Sequence, residues 1–237
     1  EAGIPHMPLK GSCIRNLLPS PTLREMSDLD ILVQEDCIDA ARQVLVAHGY
    51  EEGFDNGNHI EFTKKPYTSV ELHRQLMSPN YEFSSVFQDP WKNVSEEKPY
   101  HFRMTREDFY LYLLAHAAKH YYYMGTGIRS VIDVYVYLRA YGDKLDRKYL
   151  RRRIKLDLLQ EFSQQIEILA GRWFGGEADA EGVADEMEFY ILRSATYGTH
   201  SGYDVRYIRE QVGKGKSVRS AKCSYFFRMA FLPYEDM

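Results

Sequence analysis

Ser27-Asp28-Leu29-Asp30-Ile31-Leu32-Val33 reads as a β-strand with chemistry at its start. Leu29, Ile31 and Val33 recur at every second position, the period of a half-buried strand. Side chains of a strand point to opposite faces in turn, so Asp28 and Asp30 share one face, opposite to that of Leu29, Ile31 and Val33. Adjacent carboxylates repel each other, and a divalent cation turns that repulsion into binding. Hard oxygen ligands suit Mg2+, which takes one or two carboxylates from protein and completes its shell with water and phosphate. The pattern therefore predicts a metal-phosphate site. A solvated strand end, where Asp is common, is the plain alternative.

Upstream, residues 4–9 are apolar but interrupted by Pro5 and Pro8, which predicts a short edge strand. Lys10-Gly11-Ser12 follows, and then a short helix from Cys13 to Leu18. A Gly-Ser turn between a strand and a helix start suits phosphate, because Gly allows close backbone approach and the hydroxyl donates. Pro19 and Pro21 end the helix. Arg24 then stands just ahead of the acidic strand, placed to pair with Asp28 or Asp30 or to grip a phosphate with its fork.

Downstream, Asp36 is placed to cap a helix through His48, with Gly49 just beyond its end. A strand over 50–54, a turn at Asp55-Asn56-Gly57-Asn58 and a strand over 59–64 read as a hairpin. Another strand runs from Thr68 to Leu76, with Val70 and Leu72 on one face and Glu71 and His73 on the other. A two-metal site commonly takes a further carboxylate from a neighbouring strand. Glu71 fits that place, and Glu61 on the preceding strand is its rival. Residues 78–100, with Pro79, Pro90 and Pro99, show no period and read as an irregular connection. The domain boundary falls there, giving 1–100 as a catalytic domain and 101–237 as a helical domain.

From Thr105 the period becomes helical, and Thr105 with Asp108 resembles a capping pair. His116-Ala117-Ala118-Lys119-His120 puts two histidines one turn apart. That spacing can hold zinc, but Ala occupies the position where a zinc protease carries its general-base Glu. A polar wall facing substrate is the better reading. Further helices are predicted over 128–141, from Asp146, over 162–174 and over 185–195. The basic tail from Arg206 to Arg228 contains Gly213-Lys214-Gly215-Lys216-Ser217, but Glu210 stands where a P-loop requires Gly.

Composition sets the outer bounds. The chain has 237 residues, 44% of them hydrophobic and 27% charged, with a net charge of -4. That suits a globular protein of one large or two small domains and gives no sign of a general nucleic-acid binder; it is the order of elements, strands first and then helices, that makes the expected fold class α+β. Cys13, Cys37 and Cys223 are three in number and far apart, so they form neither a disulfide framework nor a zinc spacing. A cytoplasmic location is expected, and no run is long and apolar enough to suggest a membrane partner. The chain starts at Glu1, not Met, as a fragment of a longer protein would.

The order of these pieces resembles the nucleotidyltransferase fold of the DNA polymerase β superfamily. More narrowly, it resembles a bacterial family of uncharacterised nucleotidyltransferases. The resemblance rests on Leu9-Lys10-Gly11-Ser12, Arg24, the Asp28-Leu29-Asp30 strand, Val70-Glu71-Leu72-His73, His116 to His120, and Arg129 with Asp133, and extends to about Leu150. It implies a small mixed sheet with flanking helices followed by a helical domain. It implies transfer of a nucleoside monophosphate from an NTP to an unidentified acceptor, a small molecule, RNA or protein. Asp28, Asp30 and Glu71 would hold two Mg2+ ions, or Mn2+, and serve catalysis. Lys10, Gly11, Ser12, Arg24 and Lys119 would bind the nucleotide, and His73, His116 and His120 the substrate. A non-catalytic nucleotide-binding module, or a toxin-like transferase acting on tRNA or protein, is the alternative.

Overall fold

The computed structural model describes residues 2–87, 89–154, 157–176 and 184–194, with positions 215, 217, 219, 220 and 222. Among these, seven strands form one mixed sheet: β1 (His6–Pro8), β2 (Leu29–Val33), β3 (Glu51–Asp55), β4 (His59–Lys64), β5 (Thr68–His73), β6 (Val94–Lys98) and β7 (His101–Met104). Their order is β3-β4-β5-β2-β1-β7-β6, which puts the acidic strand β2 in the middle. β2 runs parallel to β5 and antiparallel to β1.

Alternation divides the sheet into two faces. On one, Val33, Ile60, Phe62, Val70 and Leu72 pack with Ile38 and Ala41 of helix α2 (Ile38–Ala47), which follows the short helix α1 (Lys10–Ile14). Each fully buried aliphatic or aromatic side chain there contributes on the order of 1.5–3 kcal/mol. On the other, Met7, Leu9 and Leu32 pack with Leu76 and Tyr112, the last from helix α3 (Arg106–Lys119). The acidic residues of β2 and β5 occupy the remainder of this second face.

Three sequence expectations are corrected. β1 is not an edge strand, since β2 and β7 flank it. Pro8 is tolerated because β1 pairs with β7 only at His6↔His101, and Pro8 faces Ile31 of β2. Residues 78–100 are not wholly irregular: a 3-10 turn covers Glu82–Val86, and β6 pairs with β7 as an edge hairpin. β6 reads Val-Ser-Glu-Glu-Lys and is largely exposed, so it has no hydrophobic alternation to detect. Asp36 caps no helix: it lies within a 3-10 turn over Glu35–Cys37, and α2 starts after it without a side-chain cap.

The hairpin, by contrast, forms as expected around Asn56-Gly57-Asn58. Gly57 has φ +81°, and Arg74 clamps the turn through two 2.8 Å bonds to Asp55. The Thr105 hydroxyl accepts from the Asp108 N–H at 3.2 Å, as the capping pair predicts.

The chain divides into two compact units, Glu1–Leu113 with Val136–Ile154, and Leu114–Tyr135 with Lys155–Met237. The first holds the sheet, the start of α3, the end of α4 (Ile128–Tyr141) and α5 (Arg147–Arg153). The Tyr149 hydroxyl donates to Asp108 at 2.6 Å, tying α5 to α3. The second holds the end of α3 and a π turn over His120–Met124, with α6 (Asp157–Ala170) and α7 (Asp185–Arg193). Tyr121 is its aromatic centre, 5.4 Å from the Phe162 ring and 5.0 Å from the Tyr190 ring. Arg172 bonds both Asp185 and Glu188 of α7. Most of the basic tail over 206–228 lies outside the described residues.

A candidate metal-phosphate centre on the sheet

Parallel pairing of β2 with β5 sets Asp30 opposite Glu71 and Leu32 opposite His73. Antiparallel pairing of β5 with β4 sets Glu71 opposite Glu61 and His73 opposite His59. Acidic and imidazole groups are thereby gathered on one face from strands that are far apart in sequence. Carboxylate oxygens of Asp28, Asp30 and Glu71 lie within 4.8 Å of one another, close enough to share a cation. Glu61 is not a member of this group; of the two candidate glutamates, Glu71 is the one that lies with the aspartates.

Asp30 is the hub. It is 5% exposed, and its Oδ1 takes a 2.6 Å bond from the Lys10 ammonium and a 2.9 Å bond from His73 Nε2. The same Nε2 lies 3.2 Å from Oε2 of Glu71. Carboxylates only accept, so Nε2 carries the proton and donates to both. The Leu9 N–H also donates to the Asp30 carbonyl at 3.0 Å, fixing the Lys10 turn against β2.

Electrostatics separate the three carboxylates. Burial works against the charge of Asp30, yet Lys10 and His73 outweigh it and hold its carboxyl well below the ordinary range. Burial likewise opposes Glu71, and the His73 hydrogen bond with Lys10 brings it below the ordinary range. Asp28 moves the other way: burial raises it, and the neighbouring Asp30 and Glu71 charges raise it further. A carboxylate with a raised pKa beside two ionised ones is short of positive charge, which is the condition a bound cation relieves. For Lys10, burial opposes the ammonium, but Asp30 overrides it and holds the amine above the usual lysine range. Lys10 has φ +38°, a left-handed backbone that costs a side-chain-bearing residue on the order of 1 kcal/mol. The turn carries that cost in placing the ammonium on Asp30.

Gly11 is buried at the first turn of α1, with the Arg24 guanidinium directly over it. A Cβ built there would stand 2.3 Å from Arg24 Nη1. The Ser12 hydroxyl donates to the Leu9 carbonyl at 2.6 Å, so in this structure its proton is spent locally. Gly11→Ala is expected to fold, since the obstructing atoms end a flexible side chain, but to expel the guanidinium from its seat. Thermal unfolding within a few degrees of wild type, with NTP affinity reduced about tenfold in calorimetry, is the expected pair of results.

His116, Lys119 and His120 lie in the second unit, at the end of α3 and the start of the π turn. The two histidines stand Nε2 to Nε2 at 3.3 Å. Among the described residues no third His, Cys, Asp or Glu completes a metal-sized group with them. His59 is the group that sequence reasoning missed. It shares a face of β4 with Glu61, and the β4–β5 register, which turns at Lys65-Pro66-Tyr67, sets it opposite His73.

A family model described as uncharacterised nucleotidyltransferase matches residues 1–175, about three quarters of the chain. The chain belongs to this family. A search of curated proteins and a search of solved structures each found no match. Membership makes nucleotidyl transfer the general activity of the chain and an NTP its substrate class. The match takes in every site residue named above, His116 to His120 included. No helix among the described residues is long and apolar enough to cross a membrane.

Proposed function

We propose that the chain transfers a nucleoside monophosphate from an NTP to a hydroxyl acceptor, with pyrophosphate leaving. The carrying observation is the close group of Asp28, Asp30 and Glu71 on the sheet face. These three side chains fit Mg2+ or Mn2+ by chemistry and by spacing, and would hold two ions. When bound, such ions neutralise triphosphate charge and lower the pKa of the acceptor hydroxyl.

The remaining roles belong to the chain itself. Lys10 and His73 lock Asp30 and Glu71 in one orientation, so that the carboxylates need not reorganise when nucleotide enters. Gly11, lacking a Cβ, admits the Arg24 guanidinium over the α1 turn, and Arg24 would offer its fork to a phosphate there. Ser12 would turn its hydroxyl proton from the Leu9 carbonyl to a phosphate oxygen, and Lys119, with His116 and His120, is assigned to the triphosphate and acceptor through the resemblance. Transfer then depends on positioning and charge neutralisation, without a covalent intermediate. A cytoplasmic setting suits the cysteine pattern.

The test uses each labelled NTP with Mg2+ in host lysate, with and without chelator. Label passing to RNA, protein or a small molecule only with Mg2+ supports the proposal and names the acceptor class. Mg2+-dependent NTP binding without any labelling favours the non-catalytic module. Neither binding nor labelling by a folded chain rejects both.

A further inference from the structure

We propose that His59, Glu71 and His73 form a second, nitrogen-rich cation site that takes a first-row transition ion, with Glu71 shared between it and the aspartate pair. The inference rests on the proposed function only in that sharing, since binding of the ion needs no nucleotide.

Geometry is the first support. One ligand atom from each of the three residues lies within 4.8 Å of the others. Nε2 of His73 is 3.2 Å and Nε2 of His59 is 3.9 Å from the same Glu71 oxygen, Oε2. An ion with metal-ligand bonds of about 2.1 Å spaces neighbouring ligands roughly 3.0–3.4 Å apart. The two separations from Glu71 lie within about half an ångström of that edge, a gap that a side-chain rotation covers.

Rigidity is the second. His59 and His73 are directly opposed on β4 and β5, their ring centroids 5.0 Å apart, and Glu71 lies two residues back on the same strand face. All three ligands therefore sit on sheet ladder positions, with none on a loop. His73 is 3% exposed and His59 partly buried, so the site is walled without being sealed.

The third is the state of His73. Its buried Nδ1 has no hydrogen-bond partner among the described residues. Ligation through Nε2 moves its proton to Nδ1, and the ion takes the place of the hydrogen bonds that Nε2 donates to Asp30 and Glu71.

Ligand chemistry names the ion class. Two imidazoles with one carboxylate suit Mn2+, Fe2+, Co2+ or Zn2+ better than Mg2+, whereas Asp28, Asp30 and Glu71 offer oxygen alone. The face would thus present a hard half and a borderline half joined at Glu71.

Co2+ titration of the full chain without nucleotide, followed by visible absorption, tests this. The expected result is d-d bands that saturate, with affinity weakened at least about tenfold in His59→Gln and kept within about twofold in His116→Gln. Bands lost through His116→Gln, bands unchanged in a folded His59→Gln, or no Co2+ binding by folded wild type would each overturn it. Should His59→Gln fail to fold, X-ray absorption of the wild-type Co2+ complex decides. Two imidazole scatterers support the site, and none rejects it. Mg2+-dependent NTP binding measured on the same preparation reports separately on the transferase proposal.

Discussion

Replacing Asp28 and Asp30 together by Asn is expected to lower nucleotidyl transfer by on the order of 10³-fold or more. Each substitution keeps shape and hydrogen-bonding capacity but removes one charge from a group whose carboxylates lie within 4.8 Å of one another. Loss of cation-based charge stabilisation is worth several kcal/mol, and every 1.4 kcal/mol is about tenfold in rate. Glu71→Gln should fall nearly as far. Glu61→Gln should stay within a few-fold of wild type, because Glu61 faces Glu71 across the ladder without joining the acidic group. Steady-state assays of all three variants with the labelled acceptor check the ordering. Equal losses in Glu61→Gln and Glu71→Gln would refute the assignment of the third carboxylate.

Asp30→Ala is expected to be the most destabilising change at the centre. It strands the Lys10 ammonium, which sits 2.6 Å from the carboxylate with its side chain only 20% exposed, and removes an acceptor from His73. Removing one partner of a buried pair costs about 3–5 kcal/mol, and the partial exposure of Lys10 places this case near about 3. Lys10→Met in the same background should return a large part of that loss, because it withdraws the stranded charge. Urea unfolding of the two single variants and the double variant gives the coupling directly. Additive losses would mean that the pair contributes nothing jointly.

The pH dependence of that contribution follows from both partners. Asp30 is held below its ordinary pKa, so its share is present above the usual carboxylate range, about 4, and is lost as pH falls through the depressed value. Lys10 is held above its ordinary pKa, so its share is present below about 10 and is lost as pH rises through the raised value. Between these limits the contribution is flat.

Much of this centre is legible in the sequence because strands have a strict period. The alternation at Leu29, Ile31 and Val33 assigns Asp28 and Asp30 to one face, and that at Val70 and Leu72 does the same for Glu71 and His73. The match to residues 1–175 bears out the family to which those motifs pointed. What the sequence withholds is partnership. Nothing local to Lys10 says that its ammonium ends on Asp30, because that contact spans 20 residues and depends on a left-handed turn. Choosing Glu71 over Glu61 requires knowing that β5, and not β4, lies beside β2. The β6–β7 hairpin is unreadable for a different reason: an exposed polar edge strand lacks the alternation that burial imposes.

Lys10 on Asp30 has one further consequence. Asp28, Asp30 and Glu71 carry three negative charges when ionised, and the ammonium cancels one. A centre two charges short of neutrality repels a bare triphosphate and welcomes a divalent ion. On the proposed reading, nucleotide and cation therefore bind as linked events. Whatever factor the cation adds to nucleotide affinity, the nucleotide must add to cation affinity. Lys10 sets the size of that reciprocity, because each charge it removes from the face is one that the incoming ion need not offset.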